Sequence, residues 1–265
     1  MMTSAQEMLV ILAKILLTLG AVLGWMWVLA GYQRRRQPHP EWVRKGMHLG
    51  GGLIALAMPW LFDERWPVMV LGVLAAAGLG LVRSVRVLRE GLGSVTGSVA
   101  RKTWGEIWFP LGAAATYGIS AGDPLVYSIA ILILTLADAG AGLVGTFYGT
   151  RRYRVFQGEK SVEGSLTFFL LALLCVDLPL WLAGPMGGAS VLAVALSVAL
   201  LATLLDAVSW WGLDNLLIPV CSCLLLQHLL TPEPSAWAML LPGLLALPVL
   251  ALVLWPRLAA RARMG

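Results

Sequence analysis

The sequence predicts an all-α, polytopic membrane protein of about nine transmembrane helices, and three observations predict it. The 265 residues are 59% hydrophobic and 12% charged, with a mean hydropathy of +0.82. Apolar runs recur along the whole chain, and a run of ~20 apolar residues crosses a bilayer core of about 30 Å. The basic residues gather in alternate loops, with 17 of the 19 on one side. A helix satisfies its own backbone in lipid, so such runs are read as helices. No linker divides the chain, and 1–265 is read as one integral membrane domain.

The spans are expected at 8–31, 47–62, 66–82, 107–121, 125–149, 164–183, 188–207, 215–230 and 236–256. The first is followed by Arg34, Arg35, Arg36, Arg44 and Lys45; it is too long for a cleavable signal, and its basic cluster follows the run. The second and fourth are short and predict tilted or broken helices lining a site. The third leads into Arg83, Arg86, Arg89, Arg101 and Lys102, and the fifth into Arg151, Arg152, Arg154 and Lys160. The ninth precedes Arg257, Arg261 and Arg263. Arg65 lies opposite and Lys14 within the first span. By the positive-inside rule the N-terminus is outside and the C-terminus cytoplasmic. The short loops and the lack of an organelle-targeting segment suggest a bacterial plasma membrane.

A net charge of +5 placed in short loops points to orientation and anionic phosphate ligands, and no nucleic-acid partner is expected. Cys175, Cys221 and Cys223 sit in apolar segments without metal-ligand spacing and take no role. Polar residues concentrate at the expected cytoplasmic face, as in an enzyme drawing a soluble donor from water and a substrate from the bilayer.

Four groups of residues carry candidate chemistry. Arg44, Lys45 and His48 enter the second span at spacings that share one helix face, followed by Gly50, Gly51 and Gly52. Two adjacent cations beside a histidine suit a polyphosphate; the structural alternative is a basic anchor with a snorkelling histidine. Asp138 lies about ten residues inside the fifth span, roughly 15 Å deep, where a carboxylate is costly and usually functional. Gly142, Gly145 and Gly149 follow it on the same face, where a phosphate-bound metal has room to approach; a small-residue packing seam explains the glycines equally well.

Gly140 to Gly145 matches GxGxxG but lies in an apolar span without βαβ context, so no dinucleotide site follows. The third group is Gly158, Glu159, Lys160, Ser161, Glu163 and Gly164, opening the sixth span. Lys160 suits a phosphate and Glu163 a metal or proton-transfer role; Ser161 as N-cap with Glu163 in the first turn is the structural alternative. The fourth is Asp206, Trp210, Trp211, Asp214 and Asn215 between the seventh and eighth spans, with an N-cap again the alternative. Glu106 opens the fourth span as a helix-start acid or a site carboxylate. His39 and His228 have no partner pattern.

Together these segments resemble the family of dolichol kinases, phytol kinases and CTP-dependent diacylglycerol kinases. The resemblance rests on Arg-Lys-x-x-His at 44–48, Thr-x-Gly-Glu at 103–106, Ala-Asp-Ala with Gly145 at 137–145, Lys-Ser-x-Glu-Gly at 160–164 and Leu-Asp-Asn with Pro219 at 213–219, in the family's order over about 41–220. It implies that Arg44, Lys45, Asp138 and Gly145 are required, and that CTP is the phosphoryl donor. The CDP-diacylglycerol synthases are similar, but their longer C-terminal signature is missing, which favours a kinase.

The expected reaction is transfer from CTP to the hydroxyl of a lipid alcohol (polyprenol, phytol or diacylglycerol). Mg²⁺ is expected on Asp138, with Glu163 or Asp214; phosphates on Arg44, Lys45, Lys160, Ser161 and the Gly142–Gly145 face; and proton handling by His48 or a carboxylate. Glu106 and Asn215 are further candidates. A phosphatidate cytidylyltransferase and a transporter or flippase are the alternatives, and the oligomeric state is not readable.

Overall fold

The structure, a computed structural model, describes residues 4–86, 88, 103–155, 158–184, 187–231 and 244. All of the expected ninth span but residue 244, the residues Arg89, Glu90, Arg101 and Lys102, and the basic tail lie outside the described residues.

Helix α1 (Ser4–Arg36) ends in three arginines that favour the negative end of its dipole. After a short turn, α2 (Pro40–Leu56) starts with proline at a first-turn position, and His39 Nδ1 accepts from the Glu41 N–H at 3.2 Å. The rod breaks at Ala57 and continues as the single turn α3 (Met58–Leu61). Helix α4 is Arg65–Ser84 and α5 is Gly105–Ile119, 15 residues long and containing Pro110. The helices at the expected second and fourth spans are short, and the first of these two is broken.

The fifth span is one rod in three parts. Asp123 caps α6 (Pro124–Leu132) by accepting from the N–H groups of Leu125 and Val126. A π-helical turn follows at Ile133–Ala137, and α7 (Asp138–Phe147) completes the rod. Beyond it lie α8 (Val162–Ala183), α9 (Gly188–Val208) and α10 (Asp214–Leu229). Five of these rods, α1, α4, α6–α7, α8 and α9, are long and apolar enough to cross a membrane.

One element departs from an all-helical reading. Between α7 and α8 the chain forms an antiparallel hairpin of β1 (Arg152–Val155) and β2 (Gly158–Ser161), paired from Arg152 with Ser161 to Val155 with Gly158. Burial of Tyr153 on one face, its hydroxyl 2.5 Å from Ser165 Oγ, ties this charged loop to α8.

Two packed cores share the α6 rod as a wall. Ile129, Ile133, Phe168, Val176, Val198 and Leu226 join α6 to α8, α9 and α10. On the other side, Ile15, Met58, Leu71, Tyr117, Tyr127 and Ile131 join it to α1 through α5. The Tyr127 hydroxyl donates to the Ala55 carbonyl at 2.9 Å, so the polar tip is satisfied inside the core.

Lipid tails are as apolar as leucine, so close approach and polar bonds hold such helices together more than burial from water does. Gly112 shows the consequence: a Cβ there meets the backbone oxygen of Asn215 and stands 3.0 Å from Leu216 Cα. Backbone cannot give way. Gly112→Val is therefore expected to part α5 from α10 and to lower stability by about 1–3 kcal/mol, the cost of overpacking. Thermal unfolding in detergent checks this, with Gly78→Ala, whose Cβ meets nothing within 4 Å, expected to melt like the parent.

Candidate active site

The first turns of α2 face the α6–α7 rod. Lys45 is only 2% exposed, and its Nζ donates to Asp138 Oδ2 at 2.7 Å and to the Asp138 carbonyl at 2.8 Å. One helical turn on, His48 Nε2 lies 2.6 Å from the Leu134 carbonyl and 3.2 Å from Asp138 Oδ2. A carbonyl only accepts, so Nε2 carries the hydrogen. Leu134 belongs to the π-helical turn, where backbone bonds run to i+5, and such turns are frequent at functional sites. Phe109 meets the histidine ring edge-on at 5.0 Å.

The glycines after Asp138 have separate local reasons. A Cβ on Gly142 collides with the Lys45 side chain, so this glycine makes room for the lysine. A Cβ on Gly145 stands 3.0 Å from Ser161 Oγ, where α7 meets the start of α8. The expected phosphate-facing stripe is thus largely a cradle for Lys45 and Ser161, although both glycines still line the cavity beside them.

Two further carboxylates arrive from α9 and α10. Asp138, Asp206 and Asp214 each offer an oxygen within 4.8 Å of the others. Lys160, on β2, pairs with Asp206 Oδ2 at 2.6 Å and also donates to the Asp206 carbonyl. Burial works against the Lys160 charge, but the Asp206 and Asp214 carboxylates hold its pKa above the ordinary lysine value. Two ammonium groups therefore face three carboxylates, and among the described residues no lysine or arginine pairs with Asp214. An all-oxygen set with uncompensated negative charge fits a hard divalent cation such as Mg²⁺.

Sequence reasoning set Asp206 in the fourth group without assigning it a ligand role. The signal was present, since it is a carboxylate at the end of an apolar run, as Asp138 is within one. Glu163 stays apart from the cluster: its Oε1 accepts from Thr150 Oγ1 at 2.6 Å, and its carboxylate also takes the N–H groups of Thr150 and Arg151. Ser161 is the N-cap of α8, accepting from the Gly164 N–H at 3.0 Å. Asn215 Nδ2 donates to the Gly105 carbonyl at 3.1 Å, fastening α10 to α5, and Glu106 pairs with Arg83. Arg44 forms a two-bond pair with Glu41.

Two cavities flank this array. A polar basin of about 630 Å³ is lined by Arg44, Lys45, Asp138, Lys160, Asp206 and Asp214, with Arg152 and Glu159 from the hairpin. An apolar slot of about 150 Å³ lies among α1, α2, α4 and α5, lined by Leu19, Ile54, Leu71 and Phe109 together with Arg44 and His48. Arg44 lines both, and the His48–Asp138 contact bridges them.

Breaking a buried pair leaves an uncompensated charge, at a cost of about 3–5 kcal/mol, while replacing both partners costs much less. In a chelator, Lys160→Met is expected to melt well below the parent protein. The double variant with Asp206→Asn should recover part of that loss, as read by thermal unfolding in detergent.

No protein-family model matches the chain, and no solved structure matches it. Among curated proteins it is similar to the phytol kinase of Synechocystis, 34% identical over 188 residues that cover 70% of this chain and 78% of that enzyme. Identity at that level over most of both chains places this membrane protein in the family of polyprenol, phytol and dolichol kinases.

Proposed function

We propose that the protein transfers the γ-phosphoryl group of CTP to the hydroxyl of a membrane lipid alcohol (phytol, a polyprenol or diacylglycerol) at the cytoplasmic face of a bacterial plasma membrane. One observation carries this reading: a polar basin and an apolar slot meet at Arg44 and at the His48–Asp138 contact. The basin has the volume of a small-molecule site, and it combines cations for phosphates with carboxylates for a metal. The slot is apolar, as a hydrocarbon tail requires. The Synechocystis relative is a phytol kinase, which supports a lipid alcohol as acceptor.

Phosphoryl transfer asks a protein mainly for positioning and charge neutralisation. Mg²⁺ on Asp138 and Asp214, with Asp206 beside them, would supply charge neutralisation at the triphosphate. Arg44, Lys45 and Lys160 line the basin where the phosphates would lie, and Arg44 reaches the slot as well. Lys45 and His48 together fix the Asp138 carboxylate. A carboxylate or His48 orients the lipid hydroxyl and takes its proton, and the apolar slot keeps water from the acceptor side.

Asp138→Asn is expected to abolish turnover while the protein still folds. The check uses lipid-reconstituted protein, Mg²⁺, CTP labelled at the γ-phosphate and a panel of phytol, polyprenol, diacylglycerol and phosphatidic acid. Label entering an alcohol with the parent protein and lost in the variant supports the reading. Labelled pyrophosphate formed with phosphatidic acid would instead make the protein a cytidylyltransferase, and undiminished turnover in the variant would remove Asp138 from the mechanism.

A further inference from the structure

The polar groups that line the otherwise apolar slot are Thr18, Arg44, His48, Glu106, Tyr127 and Asn215. Most are already engaged. Thr18 Oγ1 donates to the Lys14 carbonyl, Tyr127 to Ala55, Asn215 to Gly105 and Arg44 to Glu41, while His48 Nε2 is held by Leu134 and Asp138. Glu106 differs. Its Oε1 accepts from Arg83 Nη1 at 2.5 Å, and among the described residues Oε2 accepts no hydrogen bond. A carboxylate has about four acceptor sites, so an acceptor-rich oxygen stands at the edge of an apolar slot. The complement to that is a donor on an apolar tail.

We propose that Glu106 receives the hydroxyl of the lipid alcohol and that Arg83 is its positioning residue, an inference that rests on the kinase reading above. The surroundings are built to hold this carboxylate still. Arg83 Nη1 also donates to the Thr103 carbonyl at 2.5 Å, and its guanidinium lies 4.4 Å over the Trp104 ring. The Trp104 N–H donates to the Trp211 carbonyl at 3.0 Å, and Asn215 bonds Gly105, so the 103–106 segment is braced against the start of α10. Thr103 lines the basin while Gly105 and Glu106 line the slot. The segment therefore passes the junction of the two cavities, where acceptor and donor meet.

In the step itself the lipid oxygen bonds to the γ-phosphorus of CTP as the bond from that phosphorus to the β–γ bridging oxygen breaks. The electron pair leaves with CDP, and the hydroxyl proton passes to Glu106 Oε2.

The test is steady-state kinetics in lipid nanodiscs with CTP and the alcohol that the parent protein phosphorylates, together with equilibrium binding of that alcohol and of its deoxy analogue without nucleotide. Glu106→Gln is expected to lower kcat by about 100-fold, within the usual range for losing a positioned proton acceptor, and to leave the KM for CTP within twofold. It should weaken binding of the alcohol but not of the deoxy analogue. Arg83→Gln is expected to lower kcat at least tenfold, and Arg83→Lys to restore part of it.

Should Glu106→Gln fail to fold, Glu106→Asp, with the carboxylate drawn back by one methylene, is expected to lose at least tenfold in kcat at unchanged CTP KM. Turnover within threefold of the parent in the folded Glu106 variant, or a loss confined to the KM for CTP, overturns the assignment. A parent protein that phosphorylates no alcohol strikes the kinase reading itself, whereas an active parent with an indifferent Glu106 strikes this inference alone.

Discussion

The structure is organised around a carboxylate placed where lipid would otherwise be. An ionised aspartate in a transmembrane segment is expensive, and it persists only when paired and hydrogen-bonded. Lys45 meets that demand with two bonds to the same residue, and His48 adds a third contact. Several local features follow from this one requirement. Helix α2 must lie against the α6–α7 rod, Gly142 must be without a side chain, and the π-helical turn must set the Leu134 carbonyl beside Asp138 so that one imidazole reaches both. Removing any of these would leave buried charge or buried polar groups without partners, which is why they act together.

A second level of order comes from helical angles. At 3.6 residues per turn, Arg44 and His48 diverge by only about 40°, and Lys45 stands about 60° from His48. A single turn of α2 can therefore send Lys45 to the basin, His48 to the slot and Arg44 to both. The division between a charged compartment and an apolar one is made within three or four residues of one helix. The α6 rod then serves as the common wall of both packed cores, so the junction lies beside both of them.

Much of this was legible, for uneven reasons. Asp138 stands out because a charge inside an apolar run has few innocent explanations. The spacing of Arg44, Lys45 and His48 places them on one face whatever their role. Asp206 carried the same signal as Asp138, but it sits near the end of its run, where a charge is ordinary, and only the fold shows it beside Asp138 and Asp214. The hairpin was not legible: its two four-residue strands lie in a loop dominated by arginine, which charge counting reads as topology. Arg83 was read the same way, as one more cation of a positive-inside loop, because nothing in its neighbours tells of a carboxylate 23 positions later. Glu163 and Ser161 show the converse ambiguity: the capping alternative is the geometry observed, while Ser161 also lines the basin.

The charges of the carboxylate cluster are not balanced by the lysines that pair with it. Three carboxylates against two lysines leave the cluster short of positive charge, and the deficit falls at Asp214. On the kinase reading proposed above, a divalent cation held by these carboxylates would correct that deficit. Lys45 and Lys160, which line the same basin, would then stand beside the phosphates of a nucleotide. The Lys45–Asp138 and Lys160–Asp206 pairs tie α2 to α7 and the hairpin to α9. On the same reading, a cation and a polyphosphate carry opposite charge and would each offset the other in one basin, which is the physical reason to expect them to bind cooperatively.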